Sequence, residues 1–275
     1  MKNYLVKGFK YAKFSIRSRG IKYFCGEVFY HFSSKALKKY LHPTLEDFYA
    51  SGFEVKFNGR DIFQILKNRM QNKNGPSAVD QFESEYESLY ANMQDRLTNP
   101  IYGIDIESSK LLYMLVRLTS PDTVVETGVA DGVSTFFILN AMKKNEMGKL
   151  TSIDISYDVA AFLNNDEKIR WGLKVLNTKA NPRKQFKEIL EGAENLSIFL
   201  HDGDHSYLWQ QMEYYSAFAK LRCGGILLSD DVDSSFAFID TFGKISGLDT
   251  ECKGILLGRD KMFGYIVKKC QKKCL

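Results

Sequence analysis

Two apolar runs in this chain end in acids. Ile198-Phe199-Leu200-His201-Asp202-Gly203-Asp204-His205 is the first, and Gly225-Ile226-Leu227-Leu228-Ser229-Asp230-Asp231 is the second. If both runs are neighbouring parallel strands, Asp202 comes close to Asp230 and Asp231. Three carboxylates gathered at one point repel each other, and a hard divalent cation with oxygen ligands offsets that repulsion. Mg2+ is the default ion, because it needs only a few carboxylates and completes its octahedron with water and substrate. His201 and His205 raise zinc as an alternative, weakened by the lack of any cysteine nearby. The plainer reading makes these acids helix caps and solvated loop residues.

A second constellation is Val124-Val125-Glu126-Thr127-Gly128-Val129-Ala130-Asp131-Gly132-Val133-Ser134. A strand ends in an acid, turns through Gly128 and Gly132, and opens into a helix. Glycines let the backbone approach a ligand closely, and the helix N-terminus offers unpaired N–H groups. A dinucleotide site wants G-x-G-x-x-G around a pyrophosphate. The spacing here is E-x-G-x-x-x-G, and the acid would repel phosphate. It suits a ligand carrying an ammonium group, such as the methionyl part of S-adenosylmethionine. Further on, Asp154 ends the next strand, placed to accept hydrogen bonds from both hydroxyls of a ribose.

The scaffold that must hold these residues divides near residue 100. Residues 1–100 read as a basic, mainly helical N-terminal extension, with helices over 3–17, 61–70 and 78–97. Residues 101–270 alternate helix and strand, and 271–275 form a basic tail. Helices at 107–118, 134–144, 183–191 and 207–221 interleave with strands at 123–127, 149–154, 173–176, 196–200 and 225–229. A closing antiparallel pair follows at 254–257 and 263–267. Such alternation predicts an α/β fold with a doubly wound, mostly parallel, seven-stranded Rossmann-like sheet. Ligands in such sheets sit at the carboxyl ends of the strands.

With both segments in place, roughly residues 100–268 resemble class I S-adenosylmethionine-dependent methyltransferases. The likeness is to the metal-dependent O-methyltransferases of the catechol and caffeoyl-CoA type. It is closer to relatives that methylate sugars, including cephalosporin-hydroxylase-like proteins. The resemblance implies that Glu126, Gly128 and Ser134 line the methionyl end of the cofactor, that Asp154 takes the ribose, and that Asp202, Asp230 and Asp231 bind the metal. Catechol-type enzymes carry Asp-Asn where this chain has Asp230-Asp231, as the sugar-modifying relatives do. Their catalytic lysine position is His205 here, and some sugar enzymes use the residue that corresponds to Asp204. One of these two is the expected base in transfer of a methyl group to a hydroxyl of a sugar, glycan or small molecule. A metal-independent methyltransferase is the rival enzyme. A membrane-surface or RNA-binding protein with a vestigial cofactor site is the rival outside that class.

Charge shapes the partners. The net charge of +5 is unevenly spread: residues 1–42 carry ten Lys and Arg against Glu27 alone, and the last nine residues carry four lysines and no acid. Setting both ends aside leaves 24 bases against 32 acids. The acidic middle disfavours nucleic acid as a substrate. The basic end, with Leu5, Phe9, Ala12 and Ile16 at helical spacing, suits an anionic membrane surface. Its alternative is packing on the catalytic domain or on a second subunit in a homo-oligomer. No apolar run approaches the ~18–20 residues that span a bilayer. The five cysteines show no CxxC pattern, so they read as reduced thiols of a cytoplasmic protein.

Overall fold

The structure is a computed structural model that describes residues 42–69, 77–96, 103–244, 248–258 and 261–270. The basic helix expected at 3–17 and the tail at 271–275 lie outside the described residues.

Capping chemistry starts the helices where local sequence offers it. In α1 (Leu45–Ala50) Thr44 and Asp47 form a reciprocal capping box. The strand β1 (Glu54–Lys56) and the helices α2 (Gly59–Arg69) and α3 (Ser77–Arg96) follow. Asp105 caps α4 (Ile106–Thr119) by accepting from the Glu107 and Ser108 N–H groups. Then come β2 (Thr123–Thr127), α5 (Val133–Asn145), β3 (Lys149–Asp154) and β4 (Trp171–Val175). Pro182 opens α6 (Pro182–Glu191) behind the Asn181 cap. The remaining elements are β5 (Leu196–His201), α7 (Tyr207–Lys220), β6 (Ile226–Ser229), α8 (Ala237–Phe242), β7 (Thr250–Leu257) and β8 (Met262–Lys268).

The expected doubly wound sheet is present, with eight strands in the order β1-β7-β8-β6-β5-β2-β3-β4. All neighbours are parallel except that β8 runs antiparallel to β6 and β7. The strand beyond the expected seven is β1, which the short Glu-Val-Lys run conceals. It pairs with β7, so residues before 100 contribute to the sheet itself. Strand alternation divides the core between two faces. Val124, Ile198, Leu200, Ile226 and Leu228 pack toward α4 and α5, while Val125, Phe199, Leu227 and Ile266 pack toward α6, α7 and α8. Each fully buried side chain of this size contributes about 1.5–3 kcal/mol. Because β5 is covered on both faces, all six of its residues are buried and Ile198-Phe199-Leu200 run on without polar alternation.

One expectation is corrected. Cys223 and Cys270 are not reduced thiols: they form a disulfide with Cα atoms 4.8 Å apart. Lys268 N–H donates to Gly225 O at 2.9 Å and Gly224 N–H to Lys268 O at 3.0 Å, which lays the end of β8 beside the turn into β6. That pairing spans 47 residues and leaves no spacing signature. Cys252 is buried as a free thiol. Among the described residues no helix is long and apolar enough to cross a membrane.

Candidate active site

Strand β2 has β3 on one side and β5 on the other, so the chain reverses its lateral direction there. Such a switch point opens a crevice at the carboxyl ends of the strands. A cavity of about 480 Å³ lies there, walled by the ends of β2, β3 and β5. Its apolar wall includes Ile153, Ile155, Val159, Leu176, Pro182 and Trp209. Its acids are Asp131, Asp154, Asp158, Asp202, Asp204 and Glu213, and no Lys, Arg or His is among the described residues that line it. Gly128 is indispensable to this geometry. Its φ is +79°, and a Cβ there would lie 1.9 Å from the Asp202 carbonyl oxygen.

Of the five sequence-predicted cofactor residues, Gly128 and Asp154 line the cavity, and Glu126, Gly132 and Ser134 do not. Glu126 is fully buried and accepts hydrogen bonds from Ser134 Oγ at 3.0 Å, Thr135 Oγ1 at 2.5 Å and Ser152 Oγ at 2.5 Å. Burial pushes its carboxyl up to about 7, against the pull of the three hydroxyls. It thereby ties β2 to β3 and to the start of α5. Gly132 caps α5 in the left-handed conformation, where a Cβ would meet that of Ala160 at 2.6 Å. Asp154 holds the turn after β3: Oδ2 accepts from Val129 N–H at 2.8 Å, and Oδ1 from Ile155 N–H at 2.6 Å and Ser156 N–H at 3.0 Å. A carboxylate has about four acceptor sites, so capacity remains toward the cavity.

The expected convergence of Asp202, Asp230 and Asp231 follows from β5 pairing with β6. Asp230 N–H donates to His201 O at 2.8 Å, continuing the ladder into the acids. Burial first, and the mutual repulsion of the acids next, raise the carboxyls of Asp202 and Asp230 above the ordinary range. Burial and Asp233 do the same for Asp231. His205 Nε2 lies 3.5 Å from Asp231 Oδ2 and 3.9 Å from Asp202 Oδ1. Burial first, helped by the neighbouring His201 ring and the Lys261 ammonium, pushes His205 down to about 3, so its imidazole is neutral near pH 7. Asp204 lines the cavity and accepts from Ser206 N–H at 3.1 Å.

Sequence reasoning missed two contributors. Lys261, just before β8, ion-pairs through Nζ with Asp230 Oδ2 and lies 3.8 Å from Asp231 Oδ1. Glu213 on α7 meets His201 Nδ1 at 2.7 Å, and accepts from Thr127 Oγ1 at 2.7 Å and Trp209 Nε1 at 2.5 Å. Glu213 lies eleven residues beyond Asp202 on α7, where nothing in the sequence marks it out from the other polar residues of the helix. Lys261 was legible in principle, because an antiparallel last strand beside β6 must begin where β6 ends. Among the described residues no three His, Cys, Asp or Glu side chains are set to hold a metal as they stand. Asp230 Oδ1 is nevertheless buried without a hydrogen-bond partner.

Residues 125–232 match the family model for a methyltransferase domain. Among solved structures the chain is similar to cofactor-bound Rv0187 from MTB, at 16% identity over 78% of this chain and 100% of that one, with a TM-score of 0.51. It is likewise similar to the O-methyltransferase TomG from Streptomyces achromogenes, involved in tomaymycin synthesis and solved with SAM. There the identity is 15% over 78% of this chain and 97% of that one, with a TM-score of 0.50. No curated protein matches the sequence.

Proposed function

We propose that this chain is an S-adenosylmethionine-dependent O-methyltransferase acting on a hydroxyl of a sugar, glycan or small molecule, a reading that proceeds from the match of residues 125–232 to the family model for a methyltransferase domain. The observation that carries the reading is the cavity at the switch point, lined among the described residues by six carboxylates and no cationic side chain. A phosphate-bearing dinucleotide would be repelled there, whereas a ligand with an ammonium and a sulfonium would be drawn in. The apolar wall around Ile155, Val159 and Trp209 suits an adenine, and the remaining capacity of Asp154 suits its ribose. Glu126 acts one layer back, fixing the turn that carries Gly128.

Methyl transfer from a sulfonium is a displacement: the sulfur–methyl bond breaks as the oxygen–methyl bond forms, and the hydroxyl proton must leave. His205, beside the acid cluster, accepts that proton in our reading, with Asp204 as the alternative. Asp202, Asp230 and Asp231 would hold a divalent ion, for which Mg2+ is the default. When bound, that ion would supply acidification of the acceptor hydroxyl. The acids also oppose entry of a nucleic acid. A metal-independent reaction is the second reading, favoured by the Lys261 ammonium already paired with Asp230.

Calorimetry with S-adenosylhomocysteine tests the cofactor assignment. Micromolar binding is expected, weakened by roughly 1–3 kcal/mol in Asp154→Ala, the cost of removing one side of a buried hydrogen-bonded pair. No heat at millimolar ligand would refute it. Turnover in excess chelator tests the metal separately, with loss expected in the metal-dependent reading and full activity in the alternative.

A further inference from the structure

The cation that meets the acid cluster in this structure belongs to the chain itself. Asp230 is fully buried, whereas the Lys261 side chain is 23% exposed, so the ammonium reaches the acids from the solvent side. The backbone dictates that approach. Ser229 at the end of β6 pairs with Gly264, and Val232 N–H donates to Met262 O at 3.0 Å, which sets the first residues of β8 against the Asp230-Asp231 turn. Lys261 Nζ also donates to Gly103 O at 3.4 Å, on the segment that leads into α4. It touches no carboxylate on its far side that would hold it elsewhere among the contacts described.

An ammonium on Asp230 Oδ2 and a divalent ion on the same carboxylate repel each other and compete for the same oxygens. Lysine is a compact point charge on a flexible four-carbon stem, so it can vacate the cluster without backbone rearrangement. Asp230 Oδ1, buried and unpartnered, stays available to an incoming ion whichever way the lysine points. We propose that Lys261 is a tethered counter-cation that competes with the divalent metal for Asp230 and Asp231, so that metal enters as the lysine swings out. The inference rests on the metal reading of this site. In the metal-free state Lys261 compensates a buried charge that would otherwise oppose folding. Because coupling between two ligands of one site is reciprocal, whatever draws Lys261 out into solvent also strengthens metal binding.

The test is Mn2+ binding to the full-length protein, read by the electron paramagnetic resonance signal of the free ion, in wild type, Lys261→Met and Lys261→Arg. Lys261→Met keeps an unbranched apolar stem and is expected to bind Mn2+ at least tenfold more tightly than wild type. Lys261→Arg, which keeps the charge, should not gain. Equal affinity in wild type and Lys261→Met would overturn the competition while leaving the metal site standing. No binding in either at millimolar Mn2+ would overturn the metal reading and the competition together. Binding in Lys261→Met alone would support the competition and refute metal dependence of the wild type. A second measurement needs no variant: mass spectrometry after brief acylation of wild-type lysines. Mn2+ is expected to increase labelling of Lys261, and unchanged labelling at saturating Mn2+ would overturn the proposal.

Discussion

At the residue scale, Glu126 shows how burial turns a predicted ligand into a support. Its carboxyl is held at about 7 against an ordinary 4.5. Between those values the unfolded chain gives up its proton while the folded chain keeps it. Glu126 therefore lends stability that is fully present below pH 4.5 and is lost as pH rises toward 7, by about 3 kcal/mol for a shift of this size. Asp202 and Asp230 slope the same way, and His205, pushed down, slopes the opposite way. The clean quantity is thus the difference between wild type and Glu126→Gln, whose amide stays neutral beside the same hydroxyls. Urea unfolding at pH 4.5 and pH 7.5 should show the wild type losing more stability across that interval than the variant. Parallel losses would mean that Glu126 is charged in the native state. Glu126, Asp154, Asp202, Asp230 and Asp231 were all legible because acids at strand ends are conspicuous. What sequence could not show was which way each side chain faces: Glu126 turns inward to three hydroxyls, and Asp154 keeps a share of its acceptors for the cavity.

At the element scale, the site exists because β2, β5 and β6 lie side by side with their carboxyl ends level. Asp202 N–H donates to Thr127 O at 2.8 Å, and Gly128 N–H to Ile153 O at 2.9 Å, so three strand ends are laced together by backbone bonds. Gly128 is the point of closest approach. Gly128→Ala must satisfy both a left-handed φ and a Cβ driven into the Asp202 carbonyl. Gly224 is the fitting control: its φ is +70°, yet a Cβ there meets nothing within 4 Å. Gly224→Ala should cost about 1 kcal/mol from backbone strain alone. Gly128→Ala should cost roughly 2–4 kcal/mol and abolish S-adenosylhomocysteine binding. Equal costs in chemical denaturation would show that the clash relaxes freely. The long periodic elements were readable to within a residue or two, because each carries its own hydrophobic pattern, except β7, which starts at Thr250, four residues before the expected 254. The short ones, α1, β1 and α8, were not: three to six residues hold less than two turns of any period, and β1 is a strand only because β7 offers it an edge.

At the scale of the whole molecule, two long-range ties close the sheet, and neither has a local signal. One is the approach of Lys261 to the acids. The other is the Cys223–Cys270 disulfide, which staples the turn before β6 to the end of β8. Spacing rules for cysteines describe local frameworks and metal knuckles, and a pair 47 residues apart falls outside both. Closing a loop of that length removes unfolded-state entropy worth about 4 kcal/mol in the chain-entropy model. The gain belongs to folding and not to the site, because the staple lies at the amino end of β6 while Asp230 lies beyond its carboxyl end. Cys223→Ser and Cys270→Ser should each lower the unfolding free energy by about 2–4 kcal/mol, the double variant no more than either alone, with S-adenosylhomocysteine affinity unchanged. The double variant separates this bond from effects of reductant on Cys25 and Cys274. Unfolding midpoints identical to wild type in urea would mean that the two thiols are free, and additive losses would mean that each cysteine acts through packing instead of through a shared bond.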